Sequence, residues 1–382
     1  MKRTTILLFT VLLIFTACTK QQVNTTTSNT IKVGVFDKNG DSPFCITDAM
    51  EALKIDKDID PRVISAADIM IGNTEDIDVY LFPGGSGSSE AASLGETGRQ
   101  RIIDLVKKQG KGIVGICAGA YLLTGTENYT FLNLSGYKAI DVEHDHRGHG
   151  LSEFSLTQEG KEIFPELADR EISYCQYYEG PVMVPITNNE SKYTKLATML
   201  SDVHTIEGTP ANMTNNKPFI TINKIGKGKT ASVVGHPECT PGMRWMIPRL
   251  IRVVANKKII SYDENVVKPD LYHQEILFTE EQQAKYRHSK KQLCKSKEEK
   301  LKAMQELVDM SAWSAKKLIP PMLRDQDFEV RLLAAKLTVQ LERTDAINDV
   351  KATILNESDQ KNKMLLEKEL NLLQSLYGKQ SQ

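Results

Sequence analysis

Short apolar runs alternate with amphipathic stretches over the first two thirds of the chain. "IKVGVFD" from Ile31 reads as a strand, "FCITDAMEALK" carries apolar residues at helical spacing, and "PRVISAADI" predicts a second strand. "IDVYLFPGG" predicts a buried strand ending in a glycine turn, "GETGRQRIIDLVKKQG" an amphipathic helix closed by glycine, and "GIVGIC" the next strand. This alternation predicts an α/β domain with a flavodoxin-like open parallel sheet covered by helices. Ligands of such sheets sit beyond the carboxyl ends of the strands, where "FPGG" and "GIC" both lie.

After Tyr137 the pattern changes. "KAIDVEHD", "SEFSLTQEGKEIF" and "PVMVPIT" read as strands of a partly antiparallel extension. "KPFITINKIGKGKTASVVGHPE" predicts a hairpin, and "TPGMRWMIPRLIRVVAN" a closing helix near Asn256. From about Pro269 the chain turns to Lys, Glu, Gln and Leu, with glycine absent until Gly378. "KLIPPMLRDQDFEVRLLAAKLTVQLERTDA" has the helix, Asp turn and helix of a HEAT-type repeat, echoed more faintly where Asp359 takes the place of Asp327. Residues 269–382 are therefore expected to form a smaller all-α, HEAT-like unit of antiparallel pairs, with Val330, Leu333 and Leu337 facing inward. A plain helical bundle is the other arrangement this pattern allows. The α/β domain, residues 31–258, is expected to fold without it in a chain ending near Lys268.

The first residues, "MKRTTILLFTVLLIFTACTK", combine two basic residues with an apolar run too short for a comfortable membrane span. Residues 1–17 read as a secretory signal, and "FTAC" resembles a bacterial lipobox in which Cys18 carries the lipid, although Phe15 departs from the preferred leucine. The polar stretch over 18–30 suits a tether. The expected location is extracytoplasmic, anchored by a lipid to a bacterial membrane at the outer membrane or periplasmic face. An ordinary secreted protein or an uncleaved anchor is the alternative.

Composition narrows the function classes. A chain of 382 residues with 40% hydrophobic and 25% charged content has the balance of a globular protein of two domains. Its net charge of -1 offers no general attraction to nucleic acid, so none is expected as a partner. Six cysteines without a CxxC pair argue against a cysteine-built zinc site. With Cys18 lipidated an odd number remain, so at least one thiol stays free or pairs outside the chain. No cofactor and no metal are expected.

The free thiol of most interest is Cys117, bracketed by Gly115 and Gly119 in "GICAG". A strand-turn-helix elbow would place its sulfur over a helix N-terminus. Alone, the same pattern equally describes a small buried residue closing a strand. "GHPE" adds His236 and, one residue further on, Glu238, so that a carboxylate can orient the imidazole serving the thiol. "FPGGSGS" can supply a backbone N–H from Gly84 or Gly85 to an oxyanion, with the N–H of Ala118 beside it. On this reading helix dipole and imidazolium stabilise the thiolate, and mildly acidic alkylation selects Cys117.

The order "PGG", "GICAGAYL", "GHPE" resembles the class I glutamine amidotransferase superfamily. The stretch from Ile31 to Asn256, with "HDHRGHGLSEFSLTQEGKEIF" and "YYEGPVMVP", is similar to the branch called the biotin-protein ligase N-terminal domain. The resemblance implies Cys117 as nucleophile, His236 as general base and Glu238 as its orienting acid. Ala118, where the superfamily's intracellular peptidase branch commonly has a histidine, leaves the base to His236. No biotin ligase catalytic region is visible, so biotin transfer is not implied.

"QYYEGP" can bring Tyr178 or Glu179 beside a substrate, or its aromatics can simply pack the sheet edge. His144, His146 and His149, flanked by Glu143 and Asp145, read as a polar loop near the site's mouth rather than as metal ligands. The expected activity is hydrolysis of an amide or peptide bond through an acyl-enzyme, since no synthase is encoded to receive ammonia. The alternative is a catalytically silent binding module whose helical tail recruits a protein partner.

Overall fold

The computed structural model describes residues 30–186 and 192–377. The secretory signal, Cys18 and nearly all of the tether lie outside the described residues. Among the described residues no helix is long and apolar enough to cross a membrane.

The described residues open with β1 (Ile31–Phe36), α1 (Pro43–Leu53), β2 (Ile59–Ile64), α2 (Ala66–Ile71), β3 (Val79–Phe82), α3 (Gly87–Lys107), β4 (Gly112–Ile116) and α4 (Ala118–Leu122). Local chemistry sets these boundaries. Ser65 and Asp68 form a capping box at the start of α2, and Ser86 accepts from the Ser89 N–H to start α3. Helix α3 is broken at Gly95, whose φ of 59° and ψ of -176° no helix contains. Strands β3 and β4 are buried along their whole length, which is why they read as unbroken apolar runs.

The middle of the chain holds β5 (Tyr137–Ala139), β6 (His149–Leu156), α5 (Gln158–Ile163), β7 (Ser173–Tyr178), β8 (Met183–Pro185), β9 (Lys192–Met199), β10 (Pro218–Ile225), β11 (Gly228–Val233) and α6 (Met246–Val254). The stretch "SEFSLTQEGKEIF" is thus a strand only as far as Leu156. Thr157 then accepts from the Gly160 N–H and starts a helix, a cap that outweighs the alternating pattern. "KAIDVEHD" is likewise a strand only to Ala139, because the buried Asp141 carboxylate turns the chain by bonding Arg147 and the Val182 N–H.

The main sheet is mixed rather than parallel throughout. Strands β2, β1, β3, β4 and β11 run parallel in that spatial order, and β10, β9, β6 and β7 continue it antiparallel. Strands β3, β4 and β11 are neighbours. Their carboxyl ends therefore deliver the glycine loop, Cys117 and His236 to one place.

The residues from Pro269 open with a single 3-10 turn, Pro269–Leu271, rather than a long helix. A short strand, β12 (Ile276–Leu277), first pairs antiparallel with β6 at the sheet edge. The helices α7 (Glu280–Gln292), α8 (Lys297–Asp309), α9 (Ala315–Leu318), α10 (Phe328–Gln340), α11 (Ile347–Asn356) and α12 (Gln360–Ser375) follow. Asp327 and Asp359, the echo visible in the sequence, cap α10 and α12 by accepting from Glu329 and Asn362 N–H groups. Val330 and Leu337 are buried, while Leu333 is partly buried against the same core.

This helical region shares one apolar cluster with the α/β region: Met304, Leu307, Ala315 and Leu373 belong to the same cluster as Ala49, Cys175 and Met243. Polar contacts cross the same boundary, with Arg244 Nη1 donating to the Glu342 carbonyl at 2.7 Å and Gln176 Nε2 to the Ser311 carbonyl at 2.9 Å. Ending the chain near Lys268 is therefore expected to uncover apolar surface of the shared cluster, α1 included, and lower the unfolding midpoint markedly. Urea denaturation of the shortened and full chains would measure this. An unchanged midpoint would show that the α/β region is self-sufficient.

Candidate functional site

Cys117 occupies the elbow between β4 and α4 with φ 50° and ψ -103°, a strained conformation for a residue with a side chain. Its N–H donates to the Val233 carbonyl at 2.8 Å, tying the elbow to β11. The following turn can close only on glycine, because a Cβ on Gly119 would lie 2.1 Å from the Phe82 carbonyl oxygen. Such a strained strand-to-helix turn holds a side chain out over the sheet end.

The glycine loop after β3 lies alongside. Asn39 Nδ2 donates to the Gly84 carbonyl at 2.7 Å, and the Ser86 N–H donates to the Asn39 carbonyl at 3.0 Å. The N–H groups of Gly84 and Gly85 meet no acceptor among the described residues. A Cβ on Gly84 would stand 2.6 Å from His236 Cε1 and 3.3 Å from Cys45 Sγ, so the loop, the imidazole and a second thiol are in direct contact.

His236 is held firmly. Its N–H donates to the Gln176 carbonyl at 2.7 Å, and Nδ1 lies 2.7 Å from Glu238 Oε1, with both side chains almost wholly buried. A carboxylate at Nδ1 accepts the proton there and leaves Nε2 as the basic atom. Cys239 Sγ donates to the His236 carbonyl, and the donor atoms of His236, Glu238 and Cys239 lie within 4.8 Å of one another. The Glu238–Nδ1 bond orients the imidazole, and the Cys239 thiol is brought close by its bond to the His236 backbone carbonyl.

The two halves of the proposed couple share one cavity of about 550 Å³, lined by Cys117, His236, Gly85, Ala118, Tyr178 and Glu179 among others. They are not hydrogen-bonded to each other. Cys117 Sγ instead donates to the Tyr178 carbonyl at 3.4 Å. Burial pushes the Cys117 thiol well above its ordinary range, reinforced by Cys45 and the Glu238 charge, and the Ala118 N–H only partly opposes this. The expected preformed thiolate is therefore replaced by a protonated thiol. Desolvation outweighs the dipole of α4, which spans only Ala118–Leu122.

Tyr178 and Glu179 do reach the cavity. Glu179 sits at φ 52°, and burial raises its carboxyl pKa although His146 Nδ1 approaches its Oε2 at 3.2 Å. The loop is fixed from below by Arg147, a buried residue the sequence pattern did not single out. Its guanidinium binds Asp141 at 2.7 Å, the Tyr177 hydroxyl and the Gly180 carbonyl. The neighbouring histidines separate: His146 is exposed beside Glu179, whereas His149 stacks on Tyr178 and Phe278. Burial depresses the His149 pKa to about 4, as expected for an aromatic packing role.

The sequence reading also missed the residues that come from far along the chain. Phe44 and Cys45 enter the cavity from α1, and Trp313, Lys316 and Lys317 enter it from the helical region. The one signal available was a lone tryptophan flanked by small and basic residues in "SAWSAKK". Nothing in its spacing pointed to the site.

No family model and no curated relative matches the sequence. Among solved structures the chain is similar to a thua-like protein from Parabacteroides merdae, at 12% identity and a TM-score of 0.45 over 62% of this chain and 94% of that one. It is also similar to the glutaminase domain of CTPS from Trypanosoma brucei with bound acivicin, at 12% identity and a TM-score of 0.40 over 62% of this chain and 97% of that one. A beta-galactosidase from Bacillus circulans sp. alkalophilus aligns at 17% identity and a TM-score of 0.37 over 65% of this chain and 33% of that one. Likenesses this distant carry no argument about chemistry, which rests on the residues of the cavity.

Proposed function

We propose that this protein is an amidotransferase-like cysteine hydrolase acting on an amide or peptide bond. The observation that supports this reading is a strained Cys117 sharing a cavity with a buried, carboxylate-oriented imidazole and unengaged glycine N–H groups. When an amide enters, Cys117 turns from the Tyr178 carbonyl toward His236. Its thiol proton passes to Nε2 as the sulfur attacks the carbonyl carbon. N–H groups of Gly84 or Gly85 and Ala118 take the oxyanion, and the imidazolium then protonates the departing amine. Water, deprotonated by His236, cleaves the thioester to a carboxylate and restores the thiol. No cofactor or metal enters these steps.

Because burial raises the thiol, alkylation of Cys117 by iodoacetamide is expected to be slow at mildly acidic pH and to climb steadily as the pH rises. His236→Ala should slow it, and Glu238→Gln should slow it less. Mass spectrometry, with exposed Cys294 as the internal reference, would follow both sites. Rates at Cys117 that ignore His236 would instead favour a silent binding module, the reading supported by the missing Cys117–His236 hydrogen bond.

The proposal extends to location. Lipid on Cys18 would anchor the protein outside the cytoplasm through the polar tether, and the substrate would be a peptide or cell-wall fragment. Labelling with a fatty-acid analogue should be lost in Cys18→Ser. Labelling that survives the substitution would place the anchor elsewhere.

A further inference from the structure

Trp313 belongs to the helical region, yet its ring stands edge-on to the His236 imidazole, with centroids 4.6 Å apart and planes at 64°. The same ring meets Tyr178 at 5.2 Å. It thus touches both the imidazole and the residue whose carbonyl holds the Cys117 thiol.

The ring is itself held. Lys316 Nζ lies 3.6 Å from its centroid and is bound at 2.7 Å to Asp48 of α1, a buried carboxylate that also takes Arg343. Two residues earlier, the Ser311 carbonyl accepts from Gln176 Nε2, and the backbone carbonyl of that same Gln176 holds the His236 N–H. One glutamine therefore links the backbone of the base to the segment that carries the tryptophan. Glu238 fixes Nδ1 of the imidazole in its plane. The Trp313 ring contact is placed to limit the imidazole's remaining freedom to tilt and to help shield the His236–Glu238 pair, whose side chains are almost wholly buried, from water.

We infer that Trp313 is a positioning residue for His236, clamped by Lys316 and Asp48, so that the helical region completes the catalytic site rather than merely adjoining it. This inference rests on the reading of His236 as the base. The consequence is that anything displacing the segment from Ser311 to Lys317 disables the imidazole without touching Cys117, Glu238 or the glycine loop.

The test uses the full chain with ¹⁵N-labelled histidine and follows the low-field proton resonance of His236 Nδ1–H. His236→Ala and Glu238→Gln identify that resonance by removing it. Trp313→Ala is expected to lose it through exchange with solvent, while Trp313→Phe, which keeps a ring edge against the imidazole, should retain it. A purely structural role would not separate these two variants at equal helical content. Should Trp313→Ala fail to fold, Lys316→Met releases the clamp with the ring present and is expected to broaden the resonance. Retention of the wild-type resonance in Trp313→Ala, or in Lys316→Met where that variant stands in, would overturn the inference. Iodoacetamide rates at Cys117 separate the two levels of failure. If His236→Ala leaves them unchanged, the nucleophile reading falls; if it slows them while the resonance ignores Trp313, only the positioning role falls.

Discussion

Replacing Cys117 by serine is expected to lower turnover of any amide cleaved by the wild-type protein by roughly 10³-fold to 10⁶-fold, the range for losing a nucleophile that works as a unit with its base. The fold should not change, since the hydroxyl is close in volume to the thiol and the strained φ of 50° is imposed by the elbow. A paired measurement of turnover and thermal unfolding would check both halves. Loss of activity with an unchanged midpoint is the expected result. Persistent turnover in Cys117→Ser would remove the thiol from the chemistry and leave Cys45, in contact with the glycine loop, as the next nucleophile to examine.

Asp48→Ala is expected to destabilise the protein by about 3–5 kcal/mol, the cost of leaving buried partner charges uncompensated. Asp48 is wholly buried and binds Lys316 at 2.7 Å and Arg343, joining α1 to two separate points of the helical region. Burial would raise its carboxyl pKa, but the charges and hydrogen bonds of Lys316 and Arg343 overcome this and hold it below its ordinary value. A carboxyl with a lowered folded pKa contributes stability that is present at neutral pH and lost as the pH falls through that lowered value. The gap between wild type and variant in denaturant titrations should therefore be full at neutral pH and narrow only under strongly acidic conditions. A gap independent of pH would mean that lost packing, not charge, sets the cost.

The βα alternation from Ile31, the hairpin of β10 and β11 and the helices after Glu280 were legible because each buries one face at a regular spacing. Where the reading failed, a single side chain overrode the period. Thr157 started a helix inside an alternating stretch, and the Asp141 carboxylate ended a strand early to reach Arg147. Helical composition after Pro269 likewise hid β12, two residues whose strand form exists only because β6 offers an edge.

By itself the sequence determined the ingredients of the site. "FPGG", "GICAG" and "GHPE" each end a strand, and glycine spacing with a cysteine, or a histidine two residues before a glutamate, is local chemistry that short stretches encode. Only the tertiary structure decided what those ingredients face. The sheet order set β3, β4 and β11 side by side, burial kept Cys117 a thiol rather than a thiolate, and Trp313 came to rest on His236 from 77 positions further along the chain. Desolvation and long-range contact depend on which surfaces meet after the chain has collapsed, and no periodicity in a single element records that.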